Sequence, residues 1–233
     1  MKKLSVVIPV FNEKNTILEI LKRVDEVRLP DLEKEVIIVD DGSTDGTREL
    51  LQQIQKSSVK LFLQPHNRGK GAAVRRGFGE ATGDFIIVQD ADLEYDPKEY
   101  PLLLETLVDG RADAVFGSRF IGHRPHRVLL FWHYVGNKII TTFSNMFTGL
   151  NLTDIESCYK AFTRTGLDAI REELTSNRFG IEPELAARVA KKKLRVYEVG
   201  ISYSGRTYAE GKKVGWRDGI SALWCIIRFN LFS

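Results

Sequence analysis

Apolar residues run along the first half of the chain in two alternating rhythms. Leu4 to Val10 is a continuous, β-branched-rich run, the signature of a strand buried on both faces. Asn12 then reads as a helix cap, and Ile17, Ile20, Leu21 and Val24 share one helical face. Val36 to Val39 predicts a second strand, followed by a helix carrying Leu50, Leu51 and Ile54. Val59 to Leu63 predicts a third strand and Gly71 to Ala81 a third helix. Phe85 to Val88 gives a fourth strand, Pro97 opens a helix at a favoured first-turn position, and Ala112 to Phe116 gives a fifth strand. Strands alternating with helices imply an α/β sandwich: a mostly parallel central sheet with helices on both faces.

After Gly117 the rhythm changes. Residues 118–127 read as a basic loop and Val128 to Phe147 as a long helix, with Trp132, Val135, Ile139, Ile140 and Phe143 on its apolar side. A short strand at Tyr159 to Phe162, a helix at Glu182 to Lys193 and a strand at Leu194 to Ile201 follow. In the last segment Ile220, Leu223, Trp224, Ile227 and Leu231 share a face, opposite Arg217, Ser221, Cys225 and Arg228. Ile226, Phe229 and Phe232 broaden the apolar side, and Trp216 stands at its start. Such a helix can lie in a membrane interface or pack on the protein's own core. With no repeat and no linker rich in Pro, Gly or Ser, the expectation is one domain over 1–213, extended by a C-terminal amphipathic helix at 214–233.

Composition narrows the field. The 233 residues are 43% hydrophobic and 28% charged, which excludes wholesale disorder and allows a full core. Two cysteines, Cys158 and Cys225, cannot make a disulfide framework or a four-ligand zinc site alone. They fit buried free thiols in a reducing compartment. The N-terminal apolar run stops at Pro9, so no export signal is expected, and no stretch approaches the roughly 18 apolar residues of a spanning helix. A net charge of +3 gives no argument for nucleic acid, yet the charge is uneven. From Ala114 to Thr153 there is no acidic residue, while Arg119, Arg124, Arg127 and Lys138 stand there with His123, His126 and His133. An anionic partner is expected at that segment, with the histidines in phosphate-contacting or interfacial roles.

In open α/β sheets ligands sit beyond the carboxyl ends of the strands. Pro9, Phe11, Asn12 and Glu13 follow the first strand, and Asp40-Asp41 with a Gly-Ser-Thr-Asp-Gly turn follow the second. Asn67-Arg68-Gly69-Lys70-Gly71 follows the third, and Asp90-Ala91-Asp92-Leu93-Glu94 the fourth. Two carboxylates two residues apart past a buried strand suit a hard divalent cation, which can neutralise a diphosphate and assist its departure as a Lewis acid. The Gly-Lys-Gly turn lacks Walker spacing, and no Gly-x-Gly-x-x-Gly follows the first strand, so a dinucleotide site is not expected. Lys70 and Arg75 at a helix N-terminus suit phosphate instead. The glycine-punctuated stretch from Tyr203 to Lys213 holds Arg206, Lys212 and Lys213 against Glu210 and reads as a basic lid.

Together, Ser5 to Glu13, Val39 to Thr47, Asn67 to Gly71 and Asp90-Ala91-Asp92 stand in the order of family 2 glycosyltransferases with the GT-A fold, which the chain resembles. More narrowly it resembles dolichyl- and polyprenyl-phosphate mannose (or glucose) synthases. Phe116-Gly117-Ser118-Arg119-Phe120, Cys158 to Phe162, and Arg206 with Lys212-Lys213 extend the likeness over nearly the whole chain.

The resemblance implies that Pro9, Phe11, Glu13 and Asp41 line a nucleoside pocket. It implies Mg²⁺ or Mn²⁺ on Asp90 and Asp92, with Glu94 as a further ligand beside Ala91. It implies further that Arg119 meets the acceptor phosphate and that Arg206 and Lys212 close over the donor diphosphate. Asp92, Arg119 and Arg206 are the expected catalytic residues. The implied reaction moves a hexose with inversion from GDP-mannose or UDP-glucose to a polyprenyl phosphate (dolichyl or undecaprenyl). The implied location is cytoplasmic and peripheral, at the cytoplasmic face of the membrane, where a membrane-protein partner is possible. A family 2 enzyme using a soluble or cell-surface glycan acceptor is the alternative. Ser157-Cys158-Tyr159 departs from the Ser-Gly-Phe of many relatives.

Overall fold

The computed structural model describes residues 1–122, 124–128, 131–207, 210 and 215–232, with backbone alone at Trp216 and Arg217. Lys212, Lys213 and His123, singled out above, lie outside the described residues, as do the side chains of Trp216 and Arg217.

Seven strands form one sheet: β1 (Lys2–Val10), β2 (Leu32–Asp40), β3 (Val59–Leu63), β4 (Phe85–Val88), β5 (Ala114–Ser118), β6 (Lys160–Thr163) and β7 (Val196–Gly200). Their order is β3-β2-β1-β4-β6-β5-β7. Leu4, Val6, Val7 and Ile8 are fully buried, as the unbroken apolar run requires of a central strand. β1 runs parallel to both β2 and β4, so the chain winds outward from β1 to β3 and then returns to β4. The carboxyl ends of β1 and β4 therefore flank the point where the winding reverses, which is where such sheets open a crevice. β6 alone runs antiparallel, to β4 on one side and β5 on the other.

The helices are α1 (Ile17–Glu26), α2 (Thr47–Gln52), α3 (Lys70–Glu80), α4 (Tyr100–Val108), α5 (Phe131–Thr148), α6 (Arg164–Asp168), α7 (Ile181–Lys191) and α8 (Trp216–Leu231). Asn12 does not cap α1. Thr16 holds that position, and Asn12 instead turns the chain with φ 51° while its side-chain oxygen accepts from the Thr44 amide at 2.9 Å. Pro97 opens only a 3₁₀ turn, capped by Asp96, before α4 begins at Tyr100. Ile54 falls beyond the end of α2.

The two long C-proximal helices carry apolar surface on more than one side. α8 packs on α5 and α7 through Ala222, Ile226 and Phe229, all buried, whereas Ile220, Trp224 and Leu231 on another face are 58–59% exposed. On α5, Ile140 and Phe143 pack against the core, but Trp132 and Ile139 point outward, contrary to the single apolar face expected. No helix of the described residues is long and apolar enough to cross a membrane.

Candidate functional site

A cavity of about 1020 Å³ opens where β1 and β4 end, and it gathers the residues singled out from the sequence. Pro9 lines it from β1, Phe11 and Glu13 from just past β1, and Asp41 from just past β2. Lys70 enters from α3, Asp90, Ala91, Asp92 and Glu94 from beyond β4, Arg119 from just past β5, and Arg206 from the segment after β7.

Two glycines hold its near wall. Gly42 has φ 77°, and a Cβ there would stand 2.6 Å from the Asn67 nitrogen; at Gly69, φ 101°, it would stand 2.3 Å from the Asn177 carbonyl oxygen. Asp41 is 2% exposed and spends both carboxylate oxygens on this wall, accepting from the Arg68 amide at 2.8 Å and the Gly69 amide at 2.7 Å. It thus orders the Asn67–Gly71 turn while facing the cavity. Gly69 lies just before α3, so Lys70 sits at a helix N-terminus as expected.

Lys70 bridges two acids, with Nζ 3.0 Å from Asp90 and 2.9 Å from Glu182 of α7. Burial alone would lower this ammonium's pKa, but the charges of Asp90 and Glu182 hold it well above its ordinary value. Beyond Asp90 the chain turns at Leu93, whose φ of 64° is uncommon for a branched residue and marks a strained turn at the cavity edge. Asp92 and Glu94 receive Arg206 at 2.8 and 3.2 Å, and the same guanidinium lies 3.5 Å from Glu13. Glu94 also accepts from the Tyr203 hydroxyl and the Arg206 amide, both at 2.9 Å. Burial, then the charges of Asp90 and Glu94, push Asp92 up to about 7 against the pull of Arg206.

These carboxylates line one cavity, yet among the described residues no three His, Cys, Asp or Glu side chains converge as a metal site. The expected set of Asp90, Asp92 and Glu94 is divided instead between two cations: Lys70 takes Asp90, and Arg206 takes Asp92 and Glu94. The donors remain suited to a hard divalent cation. They are oxygen ligands, and Asp92 still carries excess negative surroundings with Arg206 beside it.

Arg119, just past the end of β5, is held by Asp154 of the segment before β6. The carboxylate, fully buried, receives the Arg119 amide at 3.0 Å, Nε at 2.7 Å and Nη2 at 2.8 Å. Asn137 of α5 adds a contact at 3.2 Å, and the guanidinium lies over the Phe120 and Tyr203 rings. Its side chain is only 12% exposed, so a planar cation is presented in one orientation. His133 lines the cavity and His126 is exposed, bridged through its backbone to Tyr203.

Sequence reasoning missed Asp154, Glu156 and Glu182. Asp154 lies 35 positions from its arginine and Glu182 lies 112 from Lys70, too far for local spacing to expose either pairing. Cys158 is buried, as expected of a structural thiol, whereas Cys225 is only partly so.

Known proteins bear on this arrangement. The chain is 31% identical over 216 residues to the undecaprenyl-phosphate 4-deoxy-4-formamido-L-arabinose transferase of Proteus mirabilis, covering 91% of this chain and 63% of that one. It is 32% identical over 219 residues to the dolichol-phosphate mannosyltransferase of Pyrococcus furiosus, covering 91% and 60%. The chain thus spans less than two thirds of these relatives' length. In fold it matches the glucosyl-3-phosphoglycerate synthase of Mycobacterium tuberculosis, solved with Mn²⁺, uridine diphosphate and phosphoglyceric acid. That match has TM-score 0.72 at 19% identity and covers 100% of this chain and 80% of that one. Residues 5–171, which carry most of β1, all of β2 to β6 and the Asp41 and Asp90–Glu94 loops of the cavity, match the family model described as glycosyl transferase family 2, and the chain belongs to that family.

Proposed function

We propose that the protein transfers a hexose, mannose or glucose, from a nucleoside diphosphate sugar such as GDP-mannose or UDP-glucose to a polyprenyl phosphate. The observation that carries this reading is one cavity lined by both a cluster of carboxylates and a buried, oriented arginine. The Proteus and Pyrococcus relatives, named for undecaprenyl- and dolichol-phosphate transfer, support the acceptor class.

On this reading Pro9, Phe11, Glu13 and Asp41 receive the nucleoside, and Lys70 faces its phosphates. Asp90 and Asp92, with Glu94, would hold Mg²⁺ or Mn²⁺, which supplies Lewis-acid stabilisation of the departing diphosphate. Arg206, which pairs with Asp92 and Glu94, would bring its positive charge to the same diphosphate. Lys212 joins it by resemblance alone. Arg119, fixed by Asp154, orients the acceptor phosphate. That phosphate is already anionic at neutral pH, so its oxygen attacks the anomeric carbon without a general base, and the product is inverted. The rate then comes from positioning and charge stabilisation.

The acceptor's lipid tail calls for a membrane surface. We assign this to the exposed apolar side chains of α5 and α8, with Lys138 on α5 and Arg124 and Arg127 in the segment that precedes it, residues 1–213 being the transferase domain and 214–233 its interfacial helix, docked peripherally at the cytoplasmic face. Incubation of radiolabelled GDP-mannose or UDP-glucose with Mn²⁺, with and without polyprenyl phosphate, tests the activity. Label is expected in the lipid phase only when polyprenyl phosphate is present. Transfer to a soluble glycan with none to the lipid would replace this reading with the glycan-acceptor alternative.

A further inference from the structure

Three acidic side chains of the cavity are used by no step above: Asp218, which accepts from the Gly215 amide at 2.8 Å, and Glu156 and Glu182. Glu182, in the first turn of α7, is 5% exposed; one oxygen meets Lys70 at 2.9 Å, while its Oε2 is buried without a hydrogen-bond partner. Glu156 lies on the segment leading into β6, and its Oε1 is likewise buried and unpartnered. Both residues line the cavity. Leaving a polar atom buried and unpaired is unfavourable, so two such atoms on one cavity wall call for a ligand that satisfies them.

Their neighbours show which part of a ligand reaches them. Glu182 grips Lys70, which grips Asp90, the donor-diphosphate end. Glu156 stands two residues past Asp154, which grips Arg119, the acceptor-phosphate end, and its own amide donates to Asp154 at 3.2 Å. The two acids are close enough that the charge of Glu182 helps burial push Glu156 up to about 8. A phosphate is repelled by such a pair. A polyol is not: its hydroxyls donate to a carboxylate oxygen and accept from a protonated carboxyl. In the transfer reaction the group lying between donor diphosphate and acceptor phosphate is the sugar itself.

We propose that Glu156 and Glu182 read the transferred sugar, their unpaired oxygens taking hydroxyl groups of the hexose. The assignment rests on the transferase reading for the identity of the two phosphate ends. It makes Glu156 a specificity-determining contact, with Glu182 serving both the sugar and Lys70.

Calorimetric titration of the wild type, Glu156→Gln, Glu156→Ala and Glu182→Gln with UDP-glucose against UDP, and with GDP-mannose against GDP, tests it in the presence of Mn²⁺. The wild type is expected to bind one sugar nucleotide about tenfold more tightly than its nucleoside diphosphate, a margin typical of one buried hydrogen-bonding contact. Glu156→Ala should erase that margin while leaving nucleoside diphosphate affinity within about twofold, and the near-isosteric Glu156→Gln should reduce it in a protein of unchanged shape. Glu182→Gln should weaken both ligands, because it also releases Lys70. An unchanged margin in both Glu156 variants, or an equal loss for sugar nucleotide and nucleoside diphosphate, overturns the inference. If the margin falls in these variants while no label reaches polyprenyl phosphate, the sugar contact stands and only the acceptor assignment fails.

Discussion

Replacing Asp154 with asparagine removes the charge that opposes Arg119 without changing the shape of the side chain. The magnitude follows from the burial. Asp154 is fully buried and its guanidinium partner 12% exposed, so neither is well served by water. Burial would raise the Asp154 carboxyl, but Arg119 pulls it below the ordinary value, so the pair is ionised in the native state. With the acid neutralised, Arg119 keeps the amide oxygen of the substituted side chain, Asn137 at 3.2 Å and the faces of Phe120 and Tyr203, but loses the carboxylate that balances its charge. Breaking a buried pair from one side typically costs 3–5 kcal/mol, and the open cavity beside Arg119 argues for about 3. Urea unfolding followed by tryptophan fluorescence measures this directly. Arg119→Met together with Asp154→Asn leaves no stranded charge, so the double variant should recover about 2 kcal/mol relative to the sum of the single ones. In the transfer assay Asp154→Asn should raise the acceptor KM and leave the donor KM in place, because Arg119 loses its orientation. A loss of stability below about 0.5 kcal/mol in Asp154→Asn, or strict additivity in the double variant, refutes the argument.

The remaining predictions rest on separate features. Asp92→Asn should lower transfer by roughly two orders of magnitude or more while leaving unfolding stability unreduced, because it relieves repulsion from Asp90 and Glu94; EDTA should abolish wild-type transfer and Mg²⁺ or Mn²⁺ restore it. Full activity in chelator would sink the metal assignment. Trp224→Ser and Leu231→Ser should each weaken co-sedimentation with anionic liposomes about tenfold, since each removes roughly 1–2 kcal/mol of apolar burial from a face that is not packed on the core. Binding equal to wild type would exclude that face from the membrane. Glu35 accepts from Ser5, from Thr82 twice and from Lys60 at 2.6 to 3.0 Å, and these bonds outweigh its burial and hold it down at about 2. A lowered native pKa stabilises the fold above the unfolded value near 4.5 and ceases to do so as pH falls from there towards 2. Glu35→Gln should therefore flatten the acid limb of the stability curve in that window, as read by thermal melts at stepped pH.

The sequence disclosed the parallel half of the sheet well, because strands buried on both faces leave largely apolar, β-branched-rich runs such as Leu4 to Val10. It also located the cavity loops that follow β1 to β4, since ligands follow strand ends and those loops collect Asp, Gly and Lys in short motifs. It failed where a side chain's role is set by a distant partner. Asn12 looks like a cap in local sequence, but Ser43 and Thr44 of the neighbouring loop draw it into a left-handed turn. The carboxylates looked free to share a cation because nothing in their spacing announces that Arg206 sits among them, more than a hundred positions later. Nor could the four residues of β6 show their direction, which their pairings with β4 and β5 decide.

That short antiparallel strand also bears on how the chain is assembled during synthesis. The order β3-β2-β1-β4-β6-β5-β7 leaves β4 and β5 unjoined except through Lys160–Thr163. β5 ends at Ser118, so both open edges wait for some forty further residues to emerge. At ribosomal rates of about 5–20 residues per second that interval lasts a few seconds. During it the nascent protein holds an early half-sheet with an unpaired β4 edge, a ready template for pairing with another chain. β6 is thus a latch that arrives late and closes two edges at once. Substitutions within it that lower strand propensity should therefore reduce the yield of soluble protein by more than their effect on the finished fold, because they lengthen the time for which those edges stay open.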